Sequence, residues 1–256
     1  MIPKMNTQFD RCFRLVVANT PQLRQEVYKI RYKVYSQELG YEREQDCQNG
    51  LEQDIYDQRS IHCLLMHRLS GLYAGCVRLV LPELHRAQVN LPFEQVVGDT
   101  WKSHNSELRN LPPHSFGEVS RLAVTTEFRK RSAEWQMAQG LSAQQRQALE
   151  NDKRYFPLIA LGLYLAATSI VQEVGLDSAF TLMEPRLARH LKRFGIDCRQ
   201  SSELVEFHGQ RGLFHVSLSA VLQDISADTF DLFQLLRSDI KKSLNLFVPH
   251  LHRRAA

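Results

Sequence analysis

What this sequence lacks narrows it first. It has no Cys-x-x-Cys pair: its five cysteines, Cys12, Cys47, Cys63, Cys76 and Cys198, fall at irregular spacings. Zinc sites and disulfide frameworks both draw on paired thiols, so neither is expected, and the thiols read as reduced and mostly buried. The segment Met1-Ile2-Pro3-Lys4-Met5-Asn6 has none of the apolar core of a secretory signal. The longest apolar run, 157–171, contains a central glycine with Thr168 and Ser169, and is short for a bilayer. We therefore expect a soluble, cytoplasmic protein with no transmembrane segment. Charge of one sign is also scarce: 32 basic residues stand against 28 acidic ones, a net +4. An excess that small, with no basic–aromatic pattern, argues against nucleic acid but leaves room for an acidic partner at a local basic patch. No internal repeat or low-complexity tract is present.

What is there is ordinary for a globular chain: 256 residues, 43% hydrophobic and 23% charged. That length buries a sizeable core without staples and suits one domain over 1–256. Residues 12–18 (CFRLVVA) read as a strand. Thr20-Pro21 then supplies an N-cap and a first helical residue, and Leu23, Val27, Ile30 and Val34 follow on one helix face to about Gly40. Ile61–Leu69 and Tyr73–Leu81 form a hairpin about Ser70-Gly71. Segment 82–115, with Pro92, Pro112 and Pro113, reads as an excursion over the surface. Phe116–Val124 is a strand, and 125–154 is polar and helical in composition. Leu158–Gly175 is apolar nearly all round, hence a central helix stopped by its glycine. Asp177–Met183 is a strand, and Glu184-Pro185 opens a helix with Leu187, Leu191 and Phe194 on its core side. Strands at Leu204–His208 and Leu213–Leu218 flank a turn at Gly209–Gly212, and Phe230, Phe233, Leu236, Ile240 and Leu244 line a last amphipathic helix over about 228–245. Hairpins mixed with crossovers imply an α/β fold: a mixed central sheet with helices on both faces.

Several of these elements carry awkward charges. Glu118 and Arg121 sit in an otherwise apolar strand, where each is costly without a partner. Arg78 is centred among Cys76, Val77, Leu79 and Val80, and needs either a partner or an exposed face. Arg31 lies at the edge of its helix's apolar face, either snorkelling to solvent or waiting for a carboxylate. Glu52-x-Asp54-x-x-Asp57 is an acidic cluster that reads equally as a solvated loop or a helix start, and no histidine or fourth carboxylate at ligand spacing assigns it a metal. Arg129-Lys130-Arg131 and Lys153-Arg154 bound the polar helical segment and would suit phosphate groups if they are more than a solvated face.

Two pieces of this order resemble the GNAT acyltransferase fold. One is the strand ending at Val124 and followed by Phe128-Arg129-Lys130; the other is the strand–helix unit Asp177–Ile196. A closer resemblance is to autoinducer (acyl-homoserine-lactone) synthases. It rests on Arg31 with Val34-Tyr35 and Gly40, on Glu52-x-Asp54-x-x-Asp57, on Gly75-x-x-Arg78-Leu79, and on Phe116-Gly117-Glu118-Val119-Ser120-Arg121. Met183-Glu184-Pro185-Arg186-Leu187 and Arg193-Phe194-Gly195-Ile196 look like the bacterial acyltransferases associated with PEP-CTERM/exosortase systems.

The resemblance implies a single GNAT-like domain with insertions at about 82–115 and 131–154. It implies an N-acyltransferase moving an acyl group, long chains included, from a phosphopantetheine thioester to the amine of an amino-acid-like acceptor. The donor would be acyl-acyl-carrier-protein or acyl-coenzyme A, with no tightly bound cofactor. By the same resemblance Glu118 is the base and Ser120 orients water or substrate. Arg31, Arg78 and Arg121, paired with Glu52, Asp54 and Asp57, shape the acceptor pocket, unless they are internal salt bridges alone. Leu122, Val124, Arg129, Lys130 and Arg131 face the donor, and an acidic carrier protein would meet the basic residues. The chain departs from the family where Arg129-Lys130-Arg131 and Ser132 replace a Gly-x-Gly loop, and where Leu191 stands near the position of a tyrosine acid. Alternative readings are a lactone synthase using S-adenosylmethionine and a non-catalytic acyl-carrier-binding module.

Overall fold

Residues 4–83, 91–104, 106–129 and 140–247 are described by the structure, a computed structural model. Their strands are β1 (Phe13–Val17), β2 (Ser60–His67), β3 (Tyr73–Val80), β4 (Phe116–Val124), β5 (Ser178–Met183), β6 (Arg199–Gln200), β7 (Val205–Glu206) and β8 (Gln210–Ser217). The spatial order is β1-β2-β3-β4-β5-β8-β6, with β7 pairing on β8. Only β4 and β5 run parallel; the other pairings are antiparallel. The helices longer than one turn are α1 (Met5–Cys12), α2 (Pro21–Arg31), α3 (Ala143–Asp152), α4 (Pro157–Glu173), α5 (Pro185–Lys192), α6 (Leu218–Asp224) and α7 (Ala227–Phe247).

The apolar stretch expected to be central is so. Helix α4 packs between the sheet and α7, and its Ile159, Leu161, Leu163, Leu165 and Ile170 are each at most 2% exposed. Burying a side chain of that size is worth about 1.5–3 kcal/mol, so α4 anchors this side of the sheet. Among the described residues no single helix is long and apolar enough to cross a membrane. On the opposite face, Val27, Ile30 and Val34 pack on Leu64, Cys76 and Ala123.

Segment 82–115 differs from the surface excursion expected. Its described part sends Leu91, Phe93, Val97, Trp101 and Leu108 onto Phe116, Phe180 and Leu213, covering the second half of that face. These apolar residues follow no helical or strand period, so the sequence pattern hid their burial. The first helix differs too: beyond Arg31 it continues as a π-helix, Tyr32–Glu38, closed by Leu39 N–H donating to Val34 C=O at 3.0 Å. Spacing alone does not reveal the wider turn, which is frequent at functional sites. The last hairpin reverses at His208 and Gly209, both with positive φ, so Gln210 and Arg211 belong to β8 rather than to the turn expected at Gly209–Gly212. Helices α1 and α6 and strand β6 were not expected.

Two irregularities open the sheet at its centre. β4 and β5 pair only at Phe116↔Ser178, Gly117↔Ala179 and Glu118↔Phe180, and beyond Glu118 they part. On its other side β4 carries a bulge: Cys76 pairs with Ala123 and Arg78 with Ser120, leaving Arg121 and Leu122 opposite Val77 alone. Arg121 adopts φ 52, a left-handed conformation uncommon for arginine. Close approach of the strands demands Gly75, where a Cβ would lie 2.3 Å from Ala123 C=O.

Candidate active site

Glu118 stands at the last paired position before the strands part and is 3% exposed. The backbone N–H of Phe93, brought in by segment 82–115, donates to its Oε2 at 2.7 Å. Burial pushes its pKa up to about 7, against the opposing pull of that N–H and of Arg78 and Arg121. A carboxyl that changes protonation near neutrality is suited to take a proton from an amine.

Beside it lies a connected ion network. Arg31, fully buried, donates from Nε to Glu52 and from Nη1 to Asp57 Oδ1 at 2.6 Å. Arg78, 1% exposed, donates from Nη1 to Asp54 Oδ1 at 2.6 Å and Asp57 Oδ1 at 2.7 Å. Its Nε reaches Ser120 Oγ at 3.3 Å. The acidic spacing is also a capping device: Asp54 caps the one-turn helix Ile55–Arg59, and Asp57 Oδ2 accepts back from Asp54 N–H at 2.9 Å. Burial raises Asp57, but Arg31 and Arg78 outweigh it and hold the carboxyl down at about 2. Glu52 is likewise raised by burial and lowered overall by Arg31 and Arg121. The cluster is thus neither a solvated loop nor a cation site: its carboxylates are engaged by guanidinium groups.

The network has a buried tier and an open one. Arg121 Nη2 donates to Glu52 Oε1 at 3.2 Å and Glu42 Oε1 at 3.1 Å, and lies 3.6 Å from Asp54 Oδ2. The side chains of Arg121, Asp54 and Glu42 keep 23%, 22% and 35% exposure, so these three reach solvent. Arg31, Arg78, Glu52 and Asp57 stand behind them. His62, 1% exposed, lies 3.6 Å from Asp57, and burial drives its pKa down to about 4, so it adds no charge at neutral pH.

Where β4 and β5 part there is a pocket of about 580 Å³, lined by Tyr35, Tyr41, Leu122, Val124, Met183 and Leu187, with Arg129, Arg186, His190 and Arg211 also on its wall. A narrow apolar slot of about 30 Å³ lies between Val119, Ala167, Val171, Ala179, Leu191 and Val216. Leu187 and Leu191 are one turn apart on α5, so pocket and slot succeed one another along one helix face. The bulge bears on the pocket as well. Arg121 C=O faces Cys76 Sγ at 3.8 Å on the β3 side. Leu122, the second residue of the bulge, lines that pocket.

Residues 30–139 match the family described as an acetyltransferase (GNAT) domain. The fold is GNAT-like, and that match covers less than half of the chain. No curated protein matches it. Among solved structures, the acyl-homoserine-lactone synthase LasI is 14% identical with a TM-score of 0.55, covering 84% of this chain and 97% of its own. FeeM, an N-acyl amino acid synthase from uncultured soil microbes, is 12% identical with a TM-score of 0.55, covering 85% and 97%. BjaI, a coenzyme-A-dependent acyl-homoserine lactone synthase solved with S-adenosylmethionine and isopentyl-CoA, is 15% identical with a TM-score of 0.53, covering 89% of each chain. At these identities the likeness is one of fold, and it spans most of the chain.

The expected residues Arg31, Glu52, Asp54, Asp57, Arg78, Ser120 and Arg121 form one bonded group, with Glu118 on the same face of β4 as Ser120. Leu122 and Val124, expected to face the donor, line the pocket. Arg129 also lines it, but it is paired with Glu38, and neighbouring Lys33 with Glu127, so this corner is internally neutralised. Lys130 and Arg131 lie outside the described residues. Lys153 pairs with Glu150, and Arg154 stacks over Tyr155 at 4.7 Å.

Sequence reasoning missed Phe93, which contributes only a backbone N–H, and Glu42 in a stretch read as plain polar loop. It also missed an aromatic group at the pocket rim. Tyr41 stacks on His208 at 4.5 Å with planes 17° apart, and Arg211 lies 5.7 Å over Tyr41. These residues are over 160 positions apart and no local pattern links them.

Proposed function

We propose that this domain is an N-acyltransferase moving an acyl group from a phosphopantetheine thioester to the amine of an amino-acid-like acceptor. The observation that carries the reading is Glu118: a buried carboxyl with a pKa near 7 at the mouth of a strand gap. It takes the proton of the acceptor ammonium, directly or through water, and frees the amine for attack on the thioester carbonyl. Leu122 N–H donates to the tetrahedral oxyanion; collapse of that intermediate breaks the C–S bond, and the pantetheine sulfur leaves as a thiol with the proton lost by the new amide nitrogen. Asp54 and Glu42 receive the acceptor's ammonium, Arg121 its carboxylate, and Ser120 orients it. The pantetheine arm follows Leu122 to Val124 through the pocket, and the acyl chain enters the apolar slot beneath.

The donor's anionic end has two possible carriers, coenzyme A or an acidic carrier protein. Arg186 and Arg189 on α5, Arg193 at its C-cap and Arg211 on β8 make no ion pair among the described residues and suit either. The test is mass spectrometry of products from the purified chain supplied with acyl-CoA or acyl-carrier protein and mixed amino acids, beside Glu118→Gln. N-acyl amino acids from the wild type, with a loss of at least 100-fold in the variant, are expected. A homoserine lactone formed from S-adenosylmethionine would favour the lactone-synthase reading, and equal product from both chains would overturn the catalytic reading.

A further inference from the structure

The β4 bulge has its own support, and that support comes from the π-helix. Tyr35 Oη donates to Leu122 C=O at 2.8 Å. The tyrosine ring lies under the Arg121 guanidinium, 5.6 Å from ring centre to Cζ. Its backbone C=O accepts from Tyr41 N–H at 2.7 Å and Glu42 N–H at 3.2 Å. Glu42 in turn pairs with Arg121. One residue therefore touches both residues of the bulge and the loop that brings Glu42 to Arg121. The wide turn makes this possible, because Tyr35 lies inside the π-helical segment that interrupts the α-helical register.

A bulge with a left-handed arginine holds its shape only if its surroundings over-determine it. On the β5 side no ladder bond holds β4 past Glu118. On the β3 side Arg121 and Leu122 lack a one-to-one partner. The Tyr35 hydroxyl is the side-chain hydrogen bond that the structure gives to Leu122 C=O, on the peptide that follows Leu122 N–H.

We propose that Tyr35 is a positioning residue: its hydroxyl pins the β4 bulge so that Leu122 N–H stays aimed at the reacting carbonyl, without itself touching either substrate's reacting atoms. This rests on the acyl-transfer reading above and extends it to a residue outside the charge network. Burial raises the Tyr35 pKa to about 12, so the hydroxyl remains a donor throughout the working pH range.

Tyr35→Phe tests the pin, because it removes one hydroxyl and keeps the ring beneath Arg121. Two measurements are made on the full chain. Steady-state transfer kinetics are expected to show kcat reduced 10- to 100-fold, KM for donor and acceptor within twofold, and the pH midpoint set by Glu118 unchanged. Amide hydrogen exchange is expected to accelerate at least tenfold over 119–124 and to stay level in α4. Glu118→Gln, run alongside, should cut turnover at least 100-fold without accelerating that exchange. A kcat within twofold of wild type overturns the proposal, as does a rise in KM with kcat kept, which would make the hydroxyl a binding contact. Unchanged exchange over 119–124 overturns it even if no acyl transfer is found; exchange that accelerates in a chain with no transfer activity keeps the pin and removes the acyl-transfer reading instead.

Discussion

If Glu118 is a base held at a cost, removing its charge should make the protein more stable as well as inactive. Glu118→Gln preserves the acceptor for Phe93 N–H and the side-chain volume, and abolishes the titration. The folded-state pKa of about 7 lies above the ordinary 4.5 because of burial. Between those two pH values the folded state binds more protons than the unfolded one, so wild-type stability is complete below about pH 4.5 and falls until about pH 7. At 1.36 kcal/mol for each pKa unit, the loss comes to about 3 kcal/mol. The glutamine variant does not share it. For a chain of this size such a difference is worth roughly 6–12 °C in the midpoint of thermal unfolding. The assay is urea and thermal unfolding of both chains at intervals from pH 4 to pH 9, alongside turnover. The expected result is near coincidence at pH 4, divergence through pH 5–7 and a constant gap above. A variant no more stable than wild type at pH 8.5, or a gap independent of pH, would refute the claim that burial tunes this carboxyl.

Two further outcomes follow from the same geometry. Asp57→Asn leaves Arg31 and Arg78 short of a shared carboxylate at 2.6 and 2.7 Å, and breaking a buried pair in this way costs about 3–5 kcal/mol; Asp54 and Glu52 remain as partners, so a loss near 3 kcal/mol in urea unfolding is expected. Ala167→Phe fills the apolar slot beside α4, and product mass spectra should move to shorter acyl chains, at about 1–3 kcal/mol of overpacking; an unchanged chain-length distribution would remove the slot from the acyl path.

Much of the candidate site was legible before any fold was known, because its members are anomalies. An arginine among Cys76, Val77, Leu79 and Val80, or a glutamate between Gly117 and Val119, violates the apolar pattern of its own strand. Such a violation persists only with a partner. The spacing Glu52-x-Asp54-x-x-Asp57 supplied partners of the opposite sign, and the structure joins them. The π-helix and the buried excursion were not legible. A turn widened by one residue leaves the spacing of Leu23, Val27, Ile30 and Val34 unaltered. Segment 82–115 buries Phe93 and Trp101 without any periodicity to mark them.

The sequence by itself determined the alternating elements, the central apolar helix and the identity of the charges set into β3 and β4, since each is written in local pattern and side-chain chemistry. Only the tertiary structure decided what those charges do. It parted β4 from β5 after Glu118, bulged β4 at Arg121, and laid Phe93 N–H, Glu42 and the Tyr35 hydroxyl against them from distant segments. The reason is physical. A carboxyl's proton affinity depends on the water around it, and an amide's direction on its peptide plane; both are set by packing rather than by neighbours in the chain.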